Sequence, residues 1–306
     1  MRTSTRRPSG VRHAIDTALG FFRNGSYAQQ TQAVYGVARM SGIAPEPSVF
    51  AAYGGIWFVF LVECWLRRVD TLFTGFAAVV MGAAVLASTS TTGYIALGMY
   101  SALLMLRSLL IPGAMPVDRA LWLGALLIVA VLGATLVLLA QPELVDRLGH
   151  LLQRILFDKL HGESGVQRRF WAMQGWTAFV DTWGLGVGPG SFRSSSLIMA
   201  VLGCTGVVGT IALLAQIMIA FKPLRWSTYV PMVDPDLAVA GACAWAMLIA
   251  VIIGSITSPS CDPGSDFALL SGAALALRGR NAWLAARPTL DLSPVVGVRP
   301  AEPLAA

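Results

Sequence analysis

"SLIMAVLGCTGVVGTIALLAQIMIAF", residues 196–221, carries no charged side chain. A helix needs about 20 consecutive apolar residues to cross the hydrocarbon core of a bilayer. This run meets that length with nothing in it that would need water. Similar runs lie at 49–66, 72–88, 91–111, 121–140 and 237–257. A further run, FALLSGAALAL at 267–277, is short and reads as a thin span, a half-helix or an interfacial segment. The chain as a whole agrees with its runs. Its 306 residues are 56% hydrophobic and 12% charged, against about 25% charged in an ordinary soluble domain. The predicted fold class is therefore all-α, a polytopic transmembrane helix bundle.

Charge in the connections orders the runs. Arg67 and Arg68 follow the first span, Arg107 and Arg119 bracket the loop after the third, Lys222 and Arg225 follow the fifth, and Arg278, Arg280 and Arg287 follow the last. Basic loops stay on the cytoplasmic side. This leaves 88–93, 141–195 and 258–266 outside, together with residues 1–48. The expected division is an outer N-terminal segment at 1–48 and four spans at 49–140. An outer loop with amphipathic helices follows at 141–195, then two to three spans at 196–286 and a disordered tail at 287–306. The first residues are basic, but their apolar stretch is short and broken by Asp16, unlike a secretory signal. Because basic termini resist translocation, further spans are expected ahead of Met1.

Some chemistries are excluded early. The net charge of +6 sits at segment ends, so no nucleic-acid partner is expected. Four cysteines without a CxxC pair, and three histidines, predict neither a metal site nor a disulfide framework.

The outer loop is the longest polar region between spans. Its first half, LVDRLGHLLQRILFDKLH at 144–161, has leucines at helical spacing and reads as an amphipathic helix. Its second half, SGVQRRFWAMQGWTAFVDTW at 164–183, places Gln167 three residues after Ser164, a capping-box pattern predicting a helix that starts near Gly165. Arg168 and Arg169 would fall in its first turns. There the unpaired N–H groups already favour an anion, and two guanidiniums would suit a phosphate or diphosphate. The competing explanation is that both arginines are interface or loop residues. DTWGLGVGPGSFRSSS at 181–196 follows. It is not a P-loop, and GxGxxG fails because Ser191 stands where the third glycine belongs. Gly186 and Gly188 permit close backbone approach, so the turn can fold against a polar head group and project Arg193, or serve as a plain connector.

Together these residues resemble the O-antigen ligase and polymerase superfamily of bacterial envelope polysaccharide assembly. The resemblance is carried by RRFWAMQGWTAFVDTWGLGVGPGSF followed by LIMAVLGCTGVVG, by RMSGIAPEPSVFAAY at 39–53, and by STSTTGY at 88–94 and CDPGSDF at 261–267. It implies a multi-pass protein of the bacterial inner membrane and an inverting glycosyltransferase of the GT-C type, without a cofactor. The implied donor is an oligosaccharide on undecaprenyl diphosphate, and the implied acceptor is a glycan or a lipid-linked chain. Carried over by position, Arg39, Arg168 and Arg169 would hold the diphosphate, with Arg193 in the turn. Ligases of this family have a His soon after the glycine turn. Here SFRSSS stands there, which turns the expectation toward a polymerase.

An acceptor hydroxyl also needs activation. Glu46, just before the first span, is the candidate catalytic carboxylate, with a helix-start role as its alternative. His161, Glu163 and Asp181 are more simply loop residues. Glu63 inside the first span is a functional suspect as an intramembrane carboxylate, while its closeness to Arg67 suggests a simple ion pair. Asp262 and Asp266 flank the last outer turn, where they line the site or solvate it. Two other classes compete: a transporter of an anionic lipid or solute, and a non-catalytic membrane fragment.

Overall fold

The structure is a computed structural model. It describes residues 33–34, 37–38, 40–42, 44, 46–125, 128, 132, 163–222, 228–258 and 260–286. The expected amphipathic helix at 144–161, most of the run at 121–140, the tail at 287–306 and Arg39 lie outside the described residues. The architecture is helical: α1 (Pro47–Leu66), α2 (Thr71–Ala87), α3 (Thr91–Leu110), α4 (Glu163–Asp181), α5 (Leu197–Phe221), α6 (Pro235–Thr257) and α7 (Ser265–Ala286). A further helical stretch at 117–125 follows α3. Ahead of α1, a two-residue antiparallel pairing sets Ala33 opposite Ala38.

Among the described residues, four helices are long and apolar enough to cross a membrane: α1, α3, α5 and α6. α2 has the composition but only 17 residues. At 1.5 Å per residue it spans about 25 Å, short of a core of about 30 Å. α7 extends well past its apolar run, to 22 residues.

α6 is the centre, with 78% of its apolar window buried. It packs on α1, α3, α5 and α7. Its sequence AVAGACAWAM explains this, because small side chains let neighbouring backbones come close. The outer helices turn apolar side chains outward instead. Leu72, Phe73 and Phe76 of α2, and Leu109 and Leu110 of α3, are exposed. In a bilayer that surface meets acyl chains.

The helix ends sort into two groups. At one end the connections predicted to share a side are joined to each other. Arg68 pairs with Asp118 at 3.0 Å. Arg67 donates to the carbonyl of Thr228, and Arg278 donates to the Thr228 hydroxyl and the Lys222 carbonyl. This end holds a buried ionic cluster larger than the simple pair read from spacing. Fully buried Glu63 meets Arg67 at 3.3 Å and Arg107 at 2.9 Å, and accepts the Tyr100 hydroxyl at 2.9 Å. The Arg107 guanidinium also lies 4.6 Å from the centre of the Trp245 ring. Breaking such a buried pair from one side costs about 3–5 kcal/mol. The cluster therefore fixes how α1, α3 and α6 sit at this end.

Candidate functional site

The opposite end of the bundle holds a cavity of about 550 Å³. Its charged lining is Glu46, Arg168, Arg193, Asp262 and Asp266, with Ser195, Ser258 and Ser260 among the polar remainder. Three separate parts of the chain supply these groups: the entry to α1, the α4–α5 region, and the loop between α6 and α7.

α4 does not begin where the capping-box pattern placed it. The helix starts at Glu163, so Ser164 is a helical residue and not its cap. Helix ends fray, and their bounds vary by a residue or two. Arg168 and Arg169 consequently sit in the second turn, away from the free N–H groups. Arg168 reaches the cavity, and its carbonyl accepts the Ser195 hydroxyl. Arg169, about 100° around the helix, is not among the lining residues. α4 is held against α5 by two glycines. A Cβ on Gly203 would lie 2.6 Å from the Gly175 carbonyl oxygen, and one on Gly175 would lie 2.2 Å from that of Met199.

The glycine turn has a different job from a head-group cradle. α5 is broken at Gly206, where φ is 64° and ψ is −155°. The break frees backbone groups in the middle of an apolar helix, where an unmade hydrogen bond costs several kcal/mol. The turn satisfies them. Val187 N–H donates to the Gly203 carbonyl at 2.9 Å, Gly188 N–H to the Cys204 carbonyl at 2.8 Å, and Val207 N–H to the Gly184 carbonyl at 2.9 Å. Gly186 lies flat on this junction with φ +81°. Neither Gly186 nor Gly188 lines the cavity. The turn reaches the site through Arg193, which is exposed and follows it directly.

The three carboxylates differ in their surroundings. Glu46 is the cap position of α1, before Pro47, and accepts the Ser48 hydroxyl at 3.0 Å. Asp262 accepts the Gly264 N–H at 2.9 Å and so shapes its own turn. Asp266 stands in the first turn of α7. Burial pushes its carboxyl above the usual range, partly offset by a hydrogen bond from Trp57. Trp57 gave no signal in sequence, since an aromatic within an apolar run reads as lipid contact or core.

The site thus has two guanidiniums and three carboxylates. An anion suits the arginines, whose N–H donors in a planar fork match phosphate oxygens. Hydroxyl groups suit the acidic wall, because carboxylates only accept. A ligand with a charged phosphate end and a hydroxylated body matches both. No family model, curated protein or solved structure matches this chain. What the fold itself defines is a helical membrane protein with a cavity at one end of the bundle whose lining includes five charged side chains.

Proposed function

We propose that the chain is a membrane glycosyltransferase of the O-antigen polymerase and ligase kind. It moves an oligosaccharide from undecaprenyl diphosphate to a glycan acceptor on the outer face of the bacterial inner membrane. The observation that supports this reading is the meeting of Glu46, from the entry to α1, with Arg168 and Arg193, from the α4–α5 region more than a hundred residues later, in one cavity. In this reading Arg168 and Arg193 neutralise the diphosphate as the sugar leaves it, which is stabilisation of developing charge by fixed donors. Glu46 accepts the proton of the attacking hydroxyl.

The transporter reading gains one observation, the break in α5, since discontinuous helices form many transport sites. The glycine turn weakens it, because the groups freed at Gly206 are already bonded to Gly184, Val187 and Gly188.

The test is binding of undecaprenyl diphosphate to the purified chain in lipid nanodiscs, with inorganic diphosphate as the head-group arm. A hydrogen bond to a charged group contributes about 1.5–3 kcal/mol. Arg168→Ala with Arg193→Ala should therefore weaken binding at least about tenfold. Arg169→Ala should leave it unchanged. Equal affinity of the double variant and the wild type would sink the proposal.

A further inference from the structure

α4 is not among the helices apolar enough to cross a membrane, yet it exposes large apolar side chains along most of its length. It packs on α5 through the face that carries Gly175. The rest of its surface divides by composition. Val166, Met173 and Val180 are exposed at a spacing of seven and so form one stripe, which Phe170 and Trp176 widen. Gln167, Gln174 and Asp181 are exposed at the same spacing and form a second stripe beside it, wholly polar. A helix with water on every open side gains nothing from that division. A helix lying in the plane of a membrane surface does, since one flank meets acyl chains and the other meets water.

The end of α4 adds an independent observation. The Trp183 N–H donates to the Val180 carbonyl at 3.1 Å, and the Gly184 N–H to the Phe179 carbonyl at 2.8 Å. These are the paired bonds of a helix stop whose turning residue is usually glycine. Here the turning residue is Trp183, with φ at 54° and its surface 95% exposed. A left-handed backbone disfavours any residue with a Cβ, and a side chain so exposed gains little from the protein in return. Leu185, beside it, is exposed as well. α5 fixes where this tip lies. A Cβ on Gly184 would be 3.4 Å from the Val207 side chain. Val207, Val208 and Ile211 are exposed on a helix apolar enough to cross a membrane. The tip is therefore continuous with a lipid-facing wall, and tryptophan is enriched where membrane meets water.

We infer that α4 is an in-plane membrane helix, sunk between head groups and acyl chains in the leaflet at the cavity end. Its apolar stripe, Trp183 and Leu185 face lipid, while Gln167, Gln174 and Asp181 face water. Arg169 lies seven residues before Trp176 and shares its face. Its long stem lets the guanidinium reach lipid phosphates from the apolar side, a task for the arginine that the cavity leaves out. Arg168, on the same helix, is then held at head-group depth, so the arginine side of the cavity opens at the lipid surface. The inference stands on the faces of α4 and does not depend on the glycosyltransferase reading.

The experiment uses the full chain in vesicles of phosphatidylcholine and phosphatidylglycerol. The photo-crosslinker p-benzoylphenylalanine replaces one residue at a time, and adducts are read by intact mass and peptide mapping. Val208, on the lipid-facing wall of α5, sets the yield expected for lipid contact. Met173, Val180 and Trp183 should give phospholipid adducts at a similar yield, and Gln167 and Gln174 should give none. Crosslinks from Met173 or Val180 to another part of the chain, or to a second copy, would overturn the inference, because protein would then cover the stripe. Equal lipid yields from both stripes would overturn the in-plane orientation. A second measurement needs no unnatural residue. In vesicles of phosphatidylcholine brominated on its acyl chains, Trp183→Phe should remove part of the quenchable tryptophan emission. An unchanged quenchable fraction would place Trp183 in water and sink the inference.

Discussion

The glycine turn offers a graded perturbation: Gly186→Ala, Gly188→Ala and Gly190→Ala, compared in one assay. All three glycines have positive φ, at +81°, +99° and +82°. An alanine there meets a left-handed backbone, at about 1–2 kcal/mol per residue. Only Gly186 adds a collision. Its Cβ would lie 2.6 Å from the Cys204 carbonyl oxygen and 2.7 Å from the Gly206 nitrogen. Both are backbone atoms fixed by the helix break, so neither can swing away. Overpacking of this kind costs about 1–3 kcal/mol. For Gly188 the nearest contact is the Ser191 hydroxyl oxygen at 3.6 Å, and for Gly190 nothing lies within 4 Å. Gly186→Ala should then cost about 2–5 kcal/mol in total, and the other two about 1–2 kcal/mol each. The assay is the melting temperature of purified protein in micelles, followed by tryptophan fluorescence, with membrane abundance as a second measure. Gly186→Ala should be the lowest by a clear margin. Three equal melting temperatures, or a lower one for Gly188→Ala, would refute the docking of this turn onto α5 as the reason for its glycines.

Three further outcomes are expected. Glu63→Gln leaves Arg67 and Arg107 buried without their carboxylate and should cost about 3–5 kcal/mol, read as loss of monodisperse protein on size-exclusion chromatography; wild-type recovery would mean that the cluster adds nothing. Asp266 has its carboxyl raised by burial, so its charge opposes folding. That penalty is absent below its unfolded value and grows as pH rises through the folded one. Asp266→Asn should raise the melting temperature on the alkaline side and not in acid, and a pH-independent difference would argue against it. In a cysteine-free background, a cysteine in place of exposed Asp181 should react with a membrane-impermeant thiol reagent on intact cells, and one in place of exposed Arg68 should not. The reverse pattern would invert the orientation and move the cavity to the cytoplasm.

Much of the bundle was legible because its signals are local. An apolar run needs no partner to be recognised, and α1, α3, α5 and α6 match their predicted runs to within two residues. The grouping of arginine-bearing connections at one end was legible for the same reason. α7 was read short because its second half, RGRNAW, is polar while still helical. The site was only half legible. Arg168, Arg193 and Glu46 stood out as charges beside spans. No spacing rule separates Arg168 from Arg169, since which of two neighbours faces a cavity depends on how α4 crosses α5 at Gly175 and Gly203. The role of Gly186 and Gly188 was hidden because the break at Gly206 does not announce itself. A glycine in a membrane helix is common and usually leaves it straight. The reach of Glu63 to Arg107 and Tyr100 depends on packing between helices that are far apart in sequence.

The break in α5 also bears on how the chain is assembled. A lone α5 entering the bilayer would carry the Gly203 and Cys204 carbonyls and the Val207 N–H into lipid with no partner. Their partners, Gly184, Val187 and Gly188, precede α5 in the chain and so leave the ribosome first. They must nevertheless be at the end of the bundle where α5 begins before α5 can settle with its bonds complete. Insertion of this helix is thus conditional on prior placement of the segment before it, and the two behave as one unit of biogenesis, although one is a connection and the other a span.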